Sequence, residues 1–112
     1  MNIGIVVLYE TDIDRVIKLT REMLKDFTLV KLTRSSSLYE SDGKRISVYY
    51  STHDQIKCNF CGTSIHHLLL DSRIDSVSME TIREYLVPIV ATLKGKISIF
   101  DIEKGFEEHV VI

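Results

Sequence analysis

The apolar positions of this chain fall into two kinds of run, and their order predicts the fold. Ile3 to Leu8 is β-branched and apolar on both faces, as a strand buried from above and below requires. Ile13, Val16, Ile17, Thr20, Leu24 and Phe27 then recur at helical spacing. Thr11 offers the N-cap, with Asp14 three residues on, so a helix is expected to about Asp26. Leu29 to Leu32 suits a short strand, interrupted by the polar run Ser35-Ser36-Ser37, which predicts a loop. Asp42-Gly43 supplies the positive φ angles of a tight hairpin turn. In the arm after it, Arg45 to Tyr50, Ile46, Val48 and Tyr50 alternate with Ser47 and Tyr49, so one face is buried.

Ser51 to Phe60 carries His53, Asp54 and Cys58 and is expected to be a loop; Ile65 to Leu70 is the next strand. Ser78 caps a helix from about Met79 to Leu93, with Ile82, Leu86, Ile89, Val90 and Leu93 inward. Pro88 removes a backbone hydrogen bond and predicts a kink or an early end. Gly95 is the expected stop, Ile97 to Phe100 a further strand, and Val110 and Val111 a short one in the tail.

The order β, α, β-hairpin, β, α, β predicts a single α/β domain over residues 1–112. Its sheet is mainly parallel, of three to four strands, with an antiparallel edge hairpin and two principal helices. Ile3–Leu8, His67–Leu70 and Ile97–Phe100 should lie side by side, with His67–Leu70 central between the two helices.

Composition narrows the function. Of 112 residues, 45% are hydrophobic and 27% charged, which supports a core and argues against disorder. A net charge of −2 argues against a strongly basic nucleic-acid binder. No apolar run reaches membrane length, so no membrane association is expected. Two cysteines are too few for a disulfide scaffold. A reduced, cytoplasmic setting is expected, which for a viral protein is the host cytoplasm.

Cys58, Cys61, His66 and Asp71 have the spacing C-x2-C-x4-H-x4-D, with Gly62 directly after the second cysteine. Thiolates, imidazole and a carboxylate suit tetrahedral zinc, and the retroviral-type zinc knuckle has the same spacing with cysteine in the fourth place. Against this, His67 to Leu70 is apolar and strand-like, the segment lacks basic residues, and cysteine packs well as a small apolar side chain. The expectation is therefore no cofactor, with a zinc-stabilised module on Cys58, Cys61, His66 and Asp71 as the alternative. Tyr39, Tyr49 and Tyr50 on the hairpin form a candidate aromatic binding surface, with Tyr39 and Tyr49 as its contact residues; the competing reading packs Tyr50 in the core. His53-Asp54 could orient an imidazole for base catalysis, but no nucleophile accompanies it.

The chain also resembles the ATPase core of phage terminase large subunits and related helicases. The resemblance is carried in order by Asp42 to Ser51, Gly62, the acid-bearing strand His67-Leu68-Leu69-Leu70-Asp71, the helix Val77 to Ile89 with its Pro88, and the closing strand Lys96 to Phe100. Ile3 to Phe27 resembles the unit that in the family follows the phosphate-loop helix. The resemblance implies that Asp71 stands where the family binds its metal. Ser72 replaces the family's catalytic glutamate, Cys61 replaces its arginine, and the chain contains no GxxxxGK run followed by Ser or Thr. The expected function is a small, non-catalytic binding or regulatory α/β protein, phage-encoded, whose partner is a protein or nucleic-acid machinery. An edge strand, from the hairpin or the tail, offers a route to homo-oligomers. A small nucleotide-binding protein or enzyme with Asp71 in a cleft is the other alternative.

Overall fold

A computed structural model describes residues 1–60, 62–92 and 94–106. The strands are β1 (Asn2–Val7), β2 (Thr28–Leu32), β3 (Ser36–Ser41), β4 (Lys44–Thr52), β5 (His67–Asp71) and β6 (Lys96–Phe100). The helices are α1 (Ile13–Met23), α2 (Ile56–Asn59) and α3 (Ser76–Thr92), and a 3-10 turn, Glu10–Asp12, leads into α1. The six strands form one sheet in the order β2-β3-β4-β1-β5-β6. β4, β1, β5 and β6 run parallel, while β2 and β3 are antiparallel to their neighbours.

The apolar character of β1 and β5 follows from their cover. Ile3, Ile5 and Val7 share one face with Leu69 and Phe100, packed under α1 through Val16. Val6, Leu68 and Leu70 project to the other face, against Ile82, Leu86 and Val90 of α3 and Ile56 and Phe60 around α2. Every residue of β5 is buried. The expected trio is present, with β5 between β1 and β6.

The sheet is larger than the three to four strands expected, because the serine run does not form a loop. β3 begins at Ser36, and Ser37 is buried with its hydroxyl 2.6 Å from the hydroxyl of Tyr50 on β4. The pairing supplies the polar partner that burying a serine demands. The hairpin turn forms as expected, with Asp42 at φ 47° and Gly43 at φ 80°. Its second arm is interior, however, since β4 pairs in parallel with β1 along Asn2 to Val7. The antiparallel edge is β2, whose pairing with β3 is bulged between Leu29 and Lys31.

Helix ends also differ from the expected ones. α1 starts after the 3-10 turn rather than at Thr11, and ends at Met23. α3 starts earlier than Met79 because Asp75, not Ser78, caps it: its carboxylate accepts from the Ser78 backbone N–H at 2.8 Å and from the Ser78 hydroxyl at 2.9 Å. α3 continues past Pro88 to Thr92. Glu84, four residues before the proline and the residue whose carbonyl loses its helical partner, is exposed. Ser51 to Phe60 is not all loop; it contains the end of β4 and the short α2. Leu93, Cys61 and the expected tail strand at Val110 and Val111 lie outside the described residues.

Candidate functional site

The connections of the sheet create a crevice at one end. From β1 the chain travels through α1 toward β4; from β5 it travels the other way through α3 to β6. The two helices lie on opposite faces, so both crossovers have the same hand. The carboxyl ends of β1 and β5 are therefore adjacent strand ends whose chains depart in opposite directions. In open α/β sheets this is where ligands bind.

Asp71 ends β5 at that point and is fully buried. Its Oδ2 accepts from the backbone N–H of Leu8, just beyond β1, at 3.1 Å. Its Oδ1 accepts from the backbone N–H of Arg73 at 3.0 Å. The Arg73 guanidinium then wraps the carboxylate, with Nε at 3.1 Å from Oδ1 and 3.2 Å from Oδ2, and Nη2 at 2.7 Å from Oδ2. Nη2 also donates to Oδ2 of Asp12, which accepts from the backbone N–H of Tyr9 at 3.3 Å as well. The guanidinium lies over the Tyr9 ring, 5.8 Å from its centroid. Burial alone would raise the Asp71 pKa; the hydrogen bonds from the Arg73 side chain and from the Arg73 and Leu8 amides outweigh it and hold the carboxyl below the usual range. Asp71 is thus an ionised carboxylate whose counter-cation is a side chain of its own chain.

Beside this crevice, over the carboxyl ends of β1 and β4, lies an open cleft of about 640 Å3, lined in part by Tyr9, Glu10, Arg34, His53, Asp54 and Asn59. His53 and Asp54 do line a common space, but Asp54 is held by the Thr52 hydroxyl at 2.6 Å. That hydrogen bond, with a backbone one, lowers the Asp54 pKa.

Of the zinc constellation, His66 and Asp71 are not brought together. His66 precedes β5 and Asp71 ends it, so a strand length of roughly 16 Å separates them and one ion cannot take both. The His66 Nδ1 accepts from the backbone N–H of Asn2 at 3.0 Å, and Cys58 is exposed on α2. Among the described residues no three His, Cys, Asp or Glu side chains form a group fit for a metal ion; Cys61 lies outside them. The aromatic surface also needs correcting. Tyr39 is 1% exposed and packs under α1 beside Tyr50, because β3 is an interior strand covered by β2. Tyr49 points the other way and is half-buried against the α3-side core.

Sequence reasoning singled out Asp71 and gave no sign of Arg73, Asp12 and Tyr9, which surround it. The available signal was the spacing acid-x-arginine at a strand end, which lets the arginine fold back on the acid. Asp12 and Tyr9 carry no local signal; the β1–β5 pairing brings them there.

Solved structures of two phage large terminases are among those that share this fold. The ATPase domain of the large terminase of Thermus phage P74-26 matches with a TM-score of 0.59 at 14% identity, over 88% of this chain and 46% of that one. The large terminase of another phage, a thermophilic bacteriophage, matches with a TM-score of 0.57 at 16% identity, over 88% of this chain and 25% of that one. This chain therefore spans less than half of either relative, and the likeness is one of fold. No family model and no curated protein matches the sequence. The expected resemblance to the terminase ATPase core holds at the level of the sheet and its helices, and among the described residues no helix is long and apolar enough to cross a membrane.

Proposed function

We propose that this chain is a non-catalytic member of the terminase-type α/β architecture, phage-encoded, that acts in the host cytoplasm by binding a protein or a nucleic-acid machine. The observation that carries this reading is the occupancy of Asp71. A carboxylate at a strand end serves phosphoryl transfer by holding a divalent cation against substrate phosphates. Here both oxygens are already hydrogen-bonded, to Arg73 and to the Leu8 amide, inside a fully buried environment. Ser72 follows, with no carboxylate to orient water, and the chain supplies no phosphate loop.

The test is titration of the purified chain with magnesium ATP, by calorimetry and by phosphate release. The expected result is no saturable binding at micromolar nucleotide and no turnover above background, with Asp71→Asn indistinguishable from the parent. Turnover that disappears in Asp71→Asn would overturn the reading. Elemental analysis after mild chelation checks its metal-free part: one tightly held zinc per chain would restore the zinc-stabilised alternative.

A further inference from the structure

β2 closes one side of the sheet, and among the described residues no strand pairs with its outer edge. Its bulge sorts the side chains in an order of its own. Leu29 opposes Tyr39 and packs into the core under α1, and Leu32 lines a groove with Ile13 and Ile17 of the same helix. Val30 and Lys31 both project to the other face. Val30 lines a groove with Glu40 and Arg45, and Lys31 lines one with Leu38 and Ser47. Leu38 and Glu40 flank Tyr39 along β3, so they stand on the face opposite to it. A regular strand alternates. From Leu29 to Leu32 this one reads α1 face, far face, far face, α1 face.

The backbone follows the same symmetry. Thr33 donates its backbone N–H inward to the Ser36 carbonyl at 2.8 Å, so Leu32, opposite Ser37, turns its own N–H and carbonyl outward. Tyr39 lies two residues from Ser37 and holds the same place in the ladder, so Leu29 turns outward as well. The faces and the outward groups therefore read the same from either end of these four residues. Such an edge is complementary to itself after a half-turn. An alternating strand laid along it falls out of phase at one end, with a side chain on the wrong face.

Charge agrees with a half-turn. Near Leu32 the groove holds Glu10 and Asp14 against Arg34. Toward the other end α1 presents Lys18, Arg21 and Lys25 against Glu22, with Asp26 following. A second copy turned around sets the net negative end of each edge against the net positive end of the other.

We propose that this chain forms a two-fold dimer through β2, with Leu29 of each copy opposite Leu32 of the second and Val30 opposite Lys31. The two leucine pairs exchange backbone hydrogen bonds and form one apolar cluster on the α1 face. Leu32, 46% exposed, and Val30, 52% exposed, are covered by the contact. Each copy uses its β2 edge once, so the assembly closes at two. A pairing of four residues is short, so the dimer is weak and reversible. The inference concerns the edge of the sheet beyond β3 and does not rest on the reading of Asp71.

The test is sedimentation equilibrium of the whole chain from about 5 μM to about 1 mM. A monomer–dimer equilibrium is expected, with a dissociation constant of about 10 to 500 μM. Val30→Glu sets a carboxylate opposite Lys31 of the second copy at two symmetric places, and Val30→Lys sets an ammonium there. The first should dimerise at least about tenfold more tightly than the second. Val30 is exposed, and circular dichroism matching the parent establishes that both variants fold. Leu32→Asp should leave no detectable dimer in the same range. A chain that stays monomeric throughout, a dimer that Leu32→Asp leaves intact, or Val30→Lys associating as tightly as Val30→Glu overturns the proposal.

Discussion

The carbonyl oxygen of His66 lies 2.1 Å from the point where a Cβ on residue 95 would stand. The same carbonyl accepts the backbone N–H of Lys96 at 2.9 Å, which aligns β6 against β5. Glycine is required here for closeness, whereas the left-handed turn after α3 is taken by Lys94 at φ 54°. Gly95→Ala must push two strands apart and should lower stability by about 2–4 kcal/mol. Gly43→Ala, where nothing lies within 4 Å and only a φ of 80° is strained, should cost about 1 kcal/mol. Urea denaturation of the two variants checks the order; equal midpoints would contradict it.

Arg73→Ala leaves a fully buried carboxylate with only two backbone donors and should destabilise the fold by about 3 kcal/mol. Because the folded-state pKa of Asp71 is depressed, its contribution is present above the unfolded value of about 3.9 and is lost as pH falls through the lower folded value. The parent should therefore lose stability with acid below about pH 4, and part of that slope should disappear in Arg73→Ala. Chemical denaturation between pH 2 and pH 7 measures both terms. A slope unchanged by the substitution would show that Arg73 does not set the titration.

Leu69→Asp should abolish folding. Leu69 is fully buried on β5 beneath α1, and an unpaired charge there costs several kcal/mol against a total of about 5–15 kcal/mol. Ser47→Asp should be tolerated, since Ser47 lines a surface groove with Lys31 and Arg45. Circular dichroism and thermal melts distinguish the two outcomes.

The two buried tyrosines should respond oppositely to loss of their hydroxyls. Tyr50 pairs with Ser37 at 2.6 Å, and burial, opposed by that hydrogen bond, pushes its pKa up to about 12. Tyr50→Phe strands the Ser37 hydroxyl and should cost about 1–2 kcal/mol. The Tyr39 hydroxyl is buried with no hydrogen-bond partner among the described residues, although Ser37 and Tyr50 lie close enough to perturb it. Tyr39→Phe should be neutral or stabilising. Thermal melts of the two variants check this; a larger loss in Tyr39→Phe would reverse the assignment.

The parallel core was legible in the sequence because segments apolar on both faces have only one economical environment, the interior of a sheet covered twice. Ile3–Val7, Leu68–Leu70 and the α1 stripe carry that signal in their own side chains. β3 was not legible, because its first residues are serines whose burial depends on Tyr50, thirteen residues beyond Ser37 and across a turn. The site was half legible for the same reason. Asp71 announces itself at the end of an apolar run, but its meaning rests on Arg73, Asp12 and the Leu8 amide, which meet only once β1 and β5 are paired.

A dissociable ion at Asp71 would make the crevice responsive to ion concentration, to chelators and to whatever anion the ion brought with it. A guanidinium two residues along the same chain has a fixed, very high effective concentration and cannot be diluted away. On the reading proposed above, the crevice therefore keeps the same cation beside Asp71 whatever ions or chelators the solution contains. On that reading, cycling between loaded and empty states has no purchase on this part of the molecule.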